Sequence, residues 1–299
     1  TGCRVRRTMR GRANALFLAF ATAVDKLPHL QLIKKLASHG IDGKLLEWIS
    51  QWLMGRMQRV SLGGSVSGWR SVASGVPQGS VLGPVLFLIY INDLEDGVKN
   101  WILKFADDTK LFAGIDNEND AEELQRDLDR IVQWSVEWQM LFNVEKCKTM
   151  HIGRRNGGHD YQMNGVTLET VAEEKDLGIV ISSDLKVSGQ CAQACSKANK
   201  MLGIINRTIQ NKTQEVMVCL YKALVRPHLE YCTVAWSPSY VKDRALLERV
   251  QHRFTRMVWG CEKIAYEDRL AKLGLWTLQE RRNRADTVEV FRMYHCLSR

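Results

Sequence analysis

No stretch of 18 consecutive apolar residues occurs in the 299-residue sequence, so a membrane-spanning helix is not expected. Internal repeats and low-complexity segments are also absent, which excludes repeat architectures and compositionally disordered chains. The eight cysteines lack the close-set pairs of a zinc site or of a small disulfide-bonded secreted domain. We therefore expect mostly buried thiols in a reducing compartment. A zinc site built from Cys191, Cys195, His228 and Cys232 is the less favoured alternative.

The composition that remains is that of an ordinary globular protein, with 45% hydrophobic and 25% charged residues. This length supplies one large domain or two ordinary ones. The net charge of +9 lies at the two ends of the chain. Residues 1–12 contain five arginines and no acidic residue, and residues 241–299 contain 13 basic against 8 acidic residues. Basic ends suit a polyanionic partner, and they equally suit a plain solvated surface.

The N-terminal segment, residues 1–14, is basic and leads into an apolar run, a pattern that imitates a secretory signal. Because the chain begins with Thr1 instead of methionine, we interpret it as a fragment of a longer protein. We expect an intracellular protein, nuclear or cytoplasmic, that is not secreted.

The order of the periodic patterns predicts an α+β fold in two parts after the basic segment. Residues 15–183 read as mixed strands and helices, and residues 184–299 read as long helices. The predicted elements are a strand over 15–24, a helix between Pro28 and Gly40, a helix from Asp42, a β-hairpin around Gly63 and Gly64, a helix with a capping box of Asn119 and Glu122, and helices over 188–208, 213–232, 240–259 and 276–298.

The segment KFADDTKLF, residues 104–112, places Asp107 beside Asp108 between apolar flanks that alternate like strands. Adjacent carboxylates repel each other, and desolvating one is costly unless a cation or hydrogen-bond donors compensate. A polar hairpin turn explains the pair without any function. The other explanation is a hairpin tip that presents two carboxylates to divalent metal ions.

Four segments occur in the order of the palm motifs of a polymerase: SGVPQGSVLGPVLFLIYINDL, KFADDTKLF, FNVEKCKTMHIG and DLGIVISSDLK. From about residue 15 to its end, the chain resembles the reverse transcriptases of non-LTR retrotransposons of the LINE-class, jockey-like type. The resemblance implies a right-hand palm, an antiparallel sheet with packed helices, followed by a mainly helical thumb, with the fingers largely missing. It also implies an RNA-directed DNA polymerase that uses two Mg²⁺ ions, with an RNA template, a DNA primer and deoxynucleoside triphosphates as partners.

By this resemblance Asp107 and Asp108 match the metal-binding aspartates of the family. Lys146 matches a lysine that lies near the pyrophosphate leaving group. Lys148 is an alternative for that role, and a solvated surface lysine is the explanation without a function.

Two further segments match parts of the family that hold substrates. Leu177 and Gly178 match the centre of the segment that grips the primer strand. The loop that packs against the template and the incoming nucleotide would comprise Ser74, Gly75, Pro77, Gln78, Gly79 and Ser80. A glycine in that loop lets the backbone approach a base pair closely.

The first palm motif departs from the family pattern, which reads LDFSKAFDKVPH where this chain reads LAFATAVDKLPH. Ala19 therefore occupies the position of a metal-binding aspartate, and Val24 that of the aromatic residue that excludes a ribose 2′-hydroxyl. Asp25 matches the second aspartate of the motif. It would lie about 20 Å from Ala19 along a strand or about 9 Å along a helix, too far to serve ions about 4 Å apart.

We therefore expect a defective polymerase, and a non-catalytic nucleic-acid-binding remnant is the alternative function. The alignment of motifs also makes a geometric prediction. Ala19 must face the carboxylates of the hairpin tip from the neighbouring strand and lie within about 10 Å of them.

Overall fold

The structure is a computed structural model that describes residues 11–22, 24–154 and 156–297. The described residues up to Ala172 form one compact unit, and those from Glu173 onward form another. The predicted division at residues 183–184 falls after a β-hairpin, Glu173–Ser182, that belongs to the second unit. The functional assignment of the domains stays a prediction, and most of the basic segment 1–14 lies outside the described residues.

The first unit contains strands, helices and two short 3₁₀ turns. Its strands are β1 (Ala13–Ala19), β2 (Met57–Gln58), β3 (Ser61–Leu62), β4 (Ser65–Val66), β5 (Arg70–Ser71), β6 (Trp101–Phe105), β7 (Asp108–Gly114), β8 (Lys148–Ile152), β9 (Gln162–Met163), β10 (Val166–Thr167) and β11 (Glu169–Thr170). Its helices are α1 (His29–Ser38), α2 (Gly43–Leu53), α3 (Leu82–Tyr90) and α4 (Glu118–Glu137), and the 3₁₀ turns are Asn92–Glu95 and Val144–Lys146.

A five-stranded sheet in the order β11-β8-β1-β7-β6 forms the centre of this unit. All its neighbours are antiparallel except β11 and β8, which are parallel. Because side chains alternate along a strand, one face of the sheet carries Leu16, Leu18 and Leu111 into a common core with Leu86 of α3 and Leu128 of α4. This confirms the predicted α+β class, a sheet with packed helices.

The central strand β1 is shorter than the predicted strand over 15–24, which is wrong beyond Ala19. Phe20 forms one isolated bridge to Phe142, and the two rings stack with their centres 4.4 Å apart. The Ala21 N–H then donates to the Leu141 carbonyl, 2.9 Å away. These contacts end the pairing with β7 and turn the chain out of the sheet.

Helix α4 begins with a capping box, as predicted, but not at the predicted residues. Asn117 accepts a hydrogen bond from the Asp120 N–H, and the Asp120 carboxylate accepts one from the Asn117 N–H. The predicted pair, Asn119 and Glu122, is wrong because the helix begins at Glu118 and already contains both residues. An aspartate at the third helical position serves here as glutamate does in the common form of the box.

Lys35 of α1 is only 2% exposed and occupies an aromatic pocket. Its ammonium group donates to the Tyr90 carbonyl over 2.6 Å and forms an ion pair with Asp93. It also lies 3.9 Å from the ring centre of Trp138 and 4.4 Å from that of Trp134, within cation–π range. Burial lowers the pKa of Lys35, and the Asp93 carboxylate opposes this shift. The pocket thereby joins α1 to α4.

The second unit begins with the hairpin of β12 (Glu173–Asp176) and β13 (Ile179–Ser182) and continues as helices. These are α5 (Ser188–Thr208), α6 (Gln214–Leu220), a π-helical turn (Tyr221–Val225), α7 (Arg226–Glu230), α8 (Thr233–Trp236), α9 (Val241–Arg256), α10 (Tyr266–Leu273) and α11 (Leu278–Tyr294). The helix predicted over 213–232 is present as a continuous helical run from Gln214 to Glu230 with a π-helical turn inside it, and Cys232 beyond its end adopts a left-handed conformation. In the described part of the chain, no helix combines the length and apolar character needed to cross a membrane.

The loop that follows β5 packs its backbone directly onto the segment between β1 and α1. The Gly75 N–H donates to the Leu27 carbonyl over 2.8 Å, and the Val76 N–H donates to the Val24 carbonyl over 3.1 Å. Gly75 has φ +80°, and a Cβ atom there would lie 2.5 Å from the Asp25 carbonyl oxygen. Only glycine fits both the conformation and the space.

We expect Gly75→Ala to destabilise the protein more than Gly40→Ala, a matched control with φ +79° and open space around the α-carbon. Gly40→Ala should lower the free energy of unfolding by about 1–2 kcal/mol, the cost of a left-handed backbone. Gly75→Ala should lower it by about 1–3 kcal/mol more, because the methyl group overpacks against Asp25. Urea denaturation of the two variants measures the difference, and equal losses would contradict the close packing.

Candidate functional site

The two adjacent aspartates lie at the tip of the β6–β7 hairpin. Phe105 pairs with Asp108, so Ala106 and Asp107 form a two-residue turn. Ala106 has φ +52°, the left-handed conformation that tight hairpin turns require. Both carboxylate residues are exposed, Asp107 in the turn and Asp108 as the first residue of β7.

Ala19 lies directly opposite Asp108 in the pairing of β1 with β7. Directly opposite residues of an antiparallel pair have α-carbons about 4.5–5.5 Å apart and side chains on the same face of the sheet. The geometric prediction is therefore confirmed, because Ala19 faces the hairpin tip within the 10 Å limit. Both explanations of the aspartate pair, a polar turn and a metal-binding tip, predict this hairpin. Metal binding by the pair stays a prediction.

Asn143 ties the turn before β8 to the same end of β1. Its N–H donates to the Ala19 carbonyl over 2.8 Å. Lys146 follows as the exposed last residue of the 3₁₀ turn, whereas Lys148 lies in β8 opposite Phe17 and forms an ion pair with Glu169. The structure thus brings the Lys146 turn to the β1 end that faces the hairpin tip, and the role of Lys146 stays a prediction.

Asp25 is engaged with the glycine-rich loop. Its carboxylate Oδ1 accepts a hydrogen bond from Gln78 Nε2 over 2.7 Å, and its carbonyl accepts one from the Ser74 hydroxyl over 3.1 Å. The sequence suggests a role for Asp25 only as a metal ligand. It does not predict the contact with Gln78, because the two residues are 53 positions apart in the chain.

Among the other predicted residues of this loop, some form hydrogen bonds within the fold and others are exposed to solvent. The Ser80 hydroxyl donates to the Pro77 carbonyl over 2.7 Å and accepts from the Gly83 N–H at the start of α3. Gly79, by contrast, is exposed, has φ +76° and has open space around its α-carbon. Val24 packs its side chain against the core of the first unit.

Leu177 and Gly178 form the two-residue turn of the β12–β13 hairpin, with φ +44° and +86°. Positive φ at both positions is the pattern of a type I′ turn. Tyr231 holds this tip, because its hydroxyl donates to the Leu177 carbonyl over 3.1 Å and its ring contacts the α-carbon side of Gly178. No local sequence pattern predicts the contact of Tyr231 with this turn, since Tyr231 and Leu177 are 54 positions apart.

Within the described residues, no group of three or more His, Cys, Asp or Glu side chains is arranged to hold a metal ion. This result gives no support to a site with three or more such ligands at the hairpin tip. It also gives no support to a zinc site at Cys191 and Cys195, which are buried free thiols. Burial raises the pKa of Cys191 to about 12, which opposes the thiolate form that metal binding needs.

The family that this chain matches and three similar proteins from Drosophila are all described as RNA-dependent or RNA-directed DNA polymerases. Residues 5–206 match the family described as "Reverse transcriptase (RNA-dependent DNA polymerase)". The chain is 28% identical to the RNA-directed DNA polymerase from mobile element jockey of Drosophila melanogaster, over 72% of this chain and 25% of that protein. The jockey polymerase of Drosophila funebris is 29% identical over 73% of this chain and 25% of that protein.

A probable RNA-directed DNA polymerase from transposon X-element of Drosophila melanogaster is 24% identical, over 83% of this chain and 28% of that protein. The chain thus spans about a quarter of the length of these relatives. Among solved structures, an apo telomerase from Candida tropicalis matches 85% of this chain and 43% of its own, with 13% identity and a TM-score of 0.48. That similarity is too low to carry conclusions about this chain.

The contact between Asp25 and Gln78 generates a spectroscopic prediction. Asp25→Ala should release the Gln78 side chain, whereas Asp25→Asn should retain it, because an asparagine oxygen still accepts from Gln78 Nε2. The measurement is the side-chain amide signal of Gln78 in ¹⁵N-glutamine-labelled protein, assigned by its loss in Gln78→Asn. Identical spectra for both Asp25 variants and the unmodified chain would show that the hydrogen bond does not form in solution.

Proposed function

The chain belongs to the reverse transcriptase family, as a LINE-class domain, and we propose that it is a palm and thumb whose template-directed DNA synthesis is impaired by Ala19. The observation that supports the impairment is the register that places Ala19 directly opposite Asp108. An aspartate at this position would bring a third carboxylate to the hairpin tip, and alanine supplies no oxygen. As a member of this family, the chain is expected to depend on divalent metal ions.

The donor chemistry of the tip suits a hard divalent cation. Mg²⁺ prefers carboxylate oxygens and completes its octahedron with water and substrate phosphates, so one or two carboxylates can hold one ion. Asp107 and Asp108 fit one hydrated ion in this way, and they leave a two-ion site without its third carboxylate. A bound ion would supply electrostatic stabilisation of phosphate charge. We propose Mg²⁺ as the natural ion.

The remaining site residues have roles that need no metal ion. We propose that Gln78 and Gly79 contact the template base and the incoming deoxynucleoside triphosphate, since both are exposed and Gly79 leaves the backbone approachable. Lys146 is proposed to neutralise pyrophosphate, and the Leu177–Gly178 turn to grip a DNA primer paired with an RNA template. We also propose that the protein acts in the nucleus or the cytoplasm, where such substrates occur.

A second candidate function, nucleic-acid binding without catalysis, is favoured by a basic stripe on α9. The stripe consists of four exposed residues at spacings of seven, four and three positions: Lys242, Arg249, Arg253 and Arg256. Such spacings place side chains on one face of a helix. The acidic residues of α9 do not neutralise it, because Asp243 is buried against Ser188 and Glu248 accepts hydrogen bonds from Tyr266 and Leu278. Cations on one helix face suit the phosphates of a duplex.

Restoring the missing carboxylate tests the impairment. Ala19→Asp should bind Mg²⁺ more tightly than the unmodified chain in calorimetry, because a third carboxylate adds an oxygen ligand and charge. Ala19→Asn is the matched control, with the same size and no charge, and should gain much less. Adding Asp108→Asn to Ala19→Asp should remove the gain. Primer extension on an RNA template accompanies the measurement. An unmodified chain that binds two Mg²⁺ ions tightly and extends the primer as well as Ala19→Asp would refute the impairment.

Duplex binding by the basic stripe should depend on salt. In a plot of log affinity against log salt concentration, each phosphate contact contributes about 0.9 to the steepness of the slope. Changing Arg249, Arg253 and Arg256 together to alanine should therefore make the slope shallower by about 3. Arg126→Ala is the control, since Arg126 is an exposed arginine already paired with Glu123. Fluorescence anisotropy with a labelled RNA–DNA duplex, at a series of salt concentrations, measures the slope for the triple variant and for the Arg126→Ala control. An unchanged slope in the triple variant would show that α9 does not contact phosphates.

A further inference from the structure

The segment Met57–Ser71 projects from the first unit as a β-ribbon whose residues are all exposed. Its base is paired through β2 and β5, and its tip through β3 and β4 around the Gly63–Gly64 turn. Five large apolar side chains lie on it, each more than half exposed: Met57, Val60, Leu62, Val66 and Trp69.

This exposure is physically costly. An isolated two-stranded ribbon is marginally stable in water, and a cluster of exposed apolar side chains marks an interaction site more often than a plain surface. Two hydrogen bonds join the strands in the middle of the ribbon: the Ser67 N–H donates to the Val60 carbonyl, and the Ser67 hydroxyl accepts from the Val60 N–H, both over 2.9 Å. A bound partner would therefore stabilise the ribbon as well as cover its side chains.

The charge of the ribbon indicates the chemistry of that partner. No aspartate or glutamate occurs between Glu47 and Asp93, while the ribbon and its base carry Arg56, Arg59 and Arg70. A ribbon that carries arginines and no acidic residue of its own is complementary to a polyanion. Asp25, which lines the same depression as Arg56 and Met57 at the base of the ribbon, already accepts a hydrogen bond from Gln78.

One face of the ribbon combines cationic and aromatic groups. Because side chains alternate along a strand, the pairing of β2 with β5 places Arg59 and Trp69 on the face of Met57. The Arg59 guanidinium lies over the Trp69 ring, 4.6 Å from its centre. Arginine and tryptophan planes are the groups on which unpaired bases stack. A regular duplex offers no free base faces to them.

We propose that this face, defined by Met57, Arg59 and Trp69, binds single-stranded nucleic acid by stacking unpaired bases on the Arg59–Trp69 pair. Arg59 also supplies the positive charge of this face, because Arg70 lies on the opposite face with Gln58 and Arg56 donates to the Gly75 carbonyl. The proposal rests on the proposed function in one respect, that the chain handles nucleic acid. It adds a contact for an unpaired strand that is separate in sequence from both the hairpin tip and the basic stripe.

The test compares binding of a fluorescein-labelled 12-nucleotide single-stranded RNA with binding of a blunt RNA–DNA duplex. Trp69→Ala should weaken single-strand binding by roughly tenfold or more, the effect of losing one stacked base, and leave duplex binding unchanged. Trp69→Phe should retain most of the affinity, and Arg59→Lys should lose part of it, because lysine keeps the charge without the planar group. Trp48→Ala is the matched control, since Trp48 is a similarly exposed tryptophan on α2.

Photocrosslinking of the same RNA carrying 5-iodouridine gives an independent readout, and mass spectrometry should locate the crosslink on Trp69. Because every ribbon side chain is exposed, the circular dichroism of Trp69→Ala should match that of the unmodified chain. Unchanged single-strand binding in Trp69→Ala would overturn the proposal, and so would an equal loss on single strand and blunt duplex. Self-association that disappears in Trp69→Ala while RNA binding persists would identify the face as a protein interface and also overturn it. Loss of duplex binding in the α9 triple variant bears on the proposed function alone.

Discussion

The pairing of β1 on both of its edges is the constraint from which the rest of the first unit follows. β1 is hydrogen-bonded to β7 on one side and to β8 on the other, so its register fixes the hairpin tip and the Lys146 turn together. A slip of one residue would move Leu16 and Leu18 out of the core. The core therefore enforces the register that places residue 19 opposite Asp108. Packing of the core therefore determines which side chain of β1 faces Asp108.

That position tolerates alanine for a physical reason. Ala19 lies at the partly exposed end of β1, and its carbonyl accepts the hydrogen bond from Asn143 whatever its side chain is. Removing a carboxylate there also removes repulsion with Asp108 when no cation is bound. Asp25, the other acidic residue of the motif, orients Gln78 and so serves the loop instead of the tip. The fold and the loop thus form with alanine at residue 19.

Much of this arrangement could be predicted from the sequence, because the informative patterns are local. Alternation around Asp107 and Asp108 predicts the hairpin, and paired glycines predict the turn at Gly63 and Gly64. The end of β1 could not be predicted, since it depends on the stacking of Phe20 on Phe142 far along the chain. The burial of Lys35 could not be predicted either, because the second of two adjacent lysines is typical of an exposed helix position. The three aromatic rings that contact it come from positions 55 to 103 residues further along the chain.

The separation of these parts along the chain decides what the loss of one of them does. The basic stripe belongs to α9 of the second unit, and the exposed ribbon is held by its own hydrogen bonds and by the loop after β5. Neither includes a residue of the hairpin tip. Phosphate attraction and base stacking require no metal ion, whereas reverse transcriptases depend on divalent metal ions for nucleotidyl transfer. On the proposed function, we therefore expect a change at residue 19 to affect nucleotidyl transfer without affecting either surface. We therefore expect nucleic-acid binding and catalysis to vary independently in this chain, and we expect only catalysis to depend on whether residue 19 presents a carboxylate to Asp108.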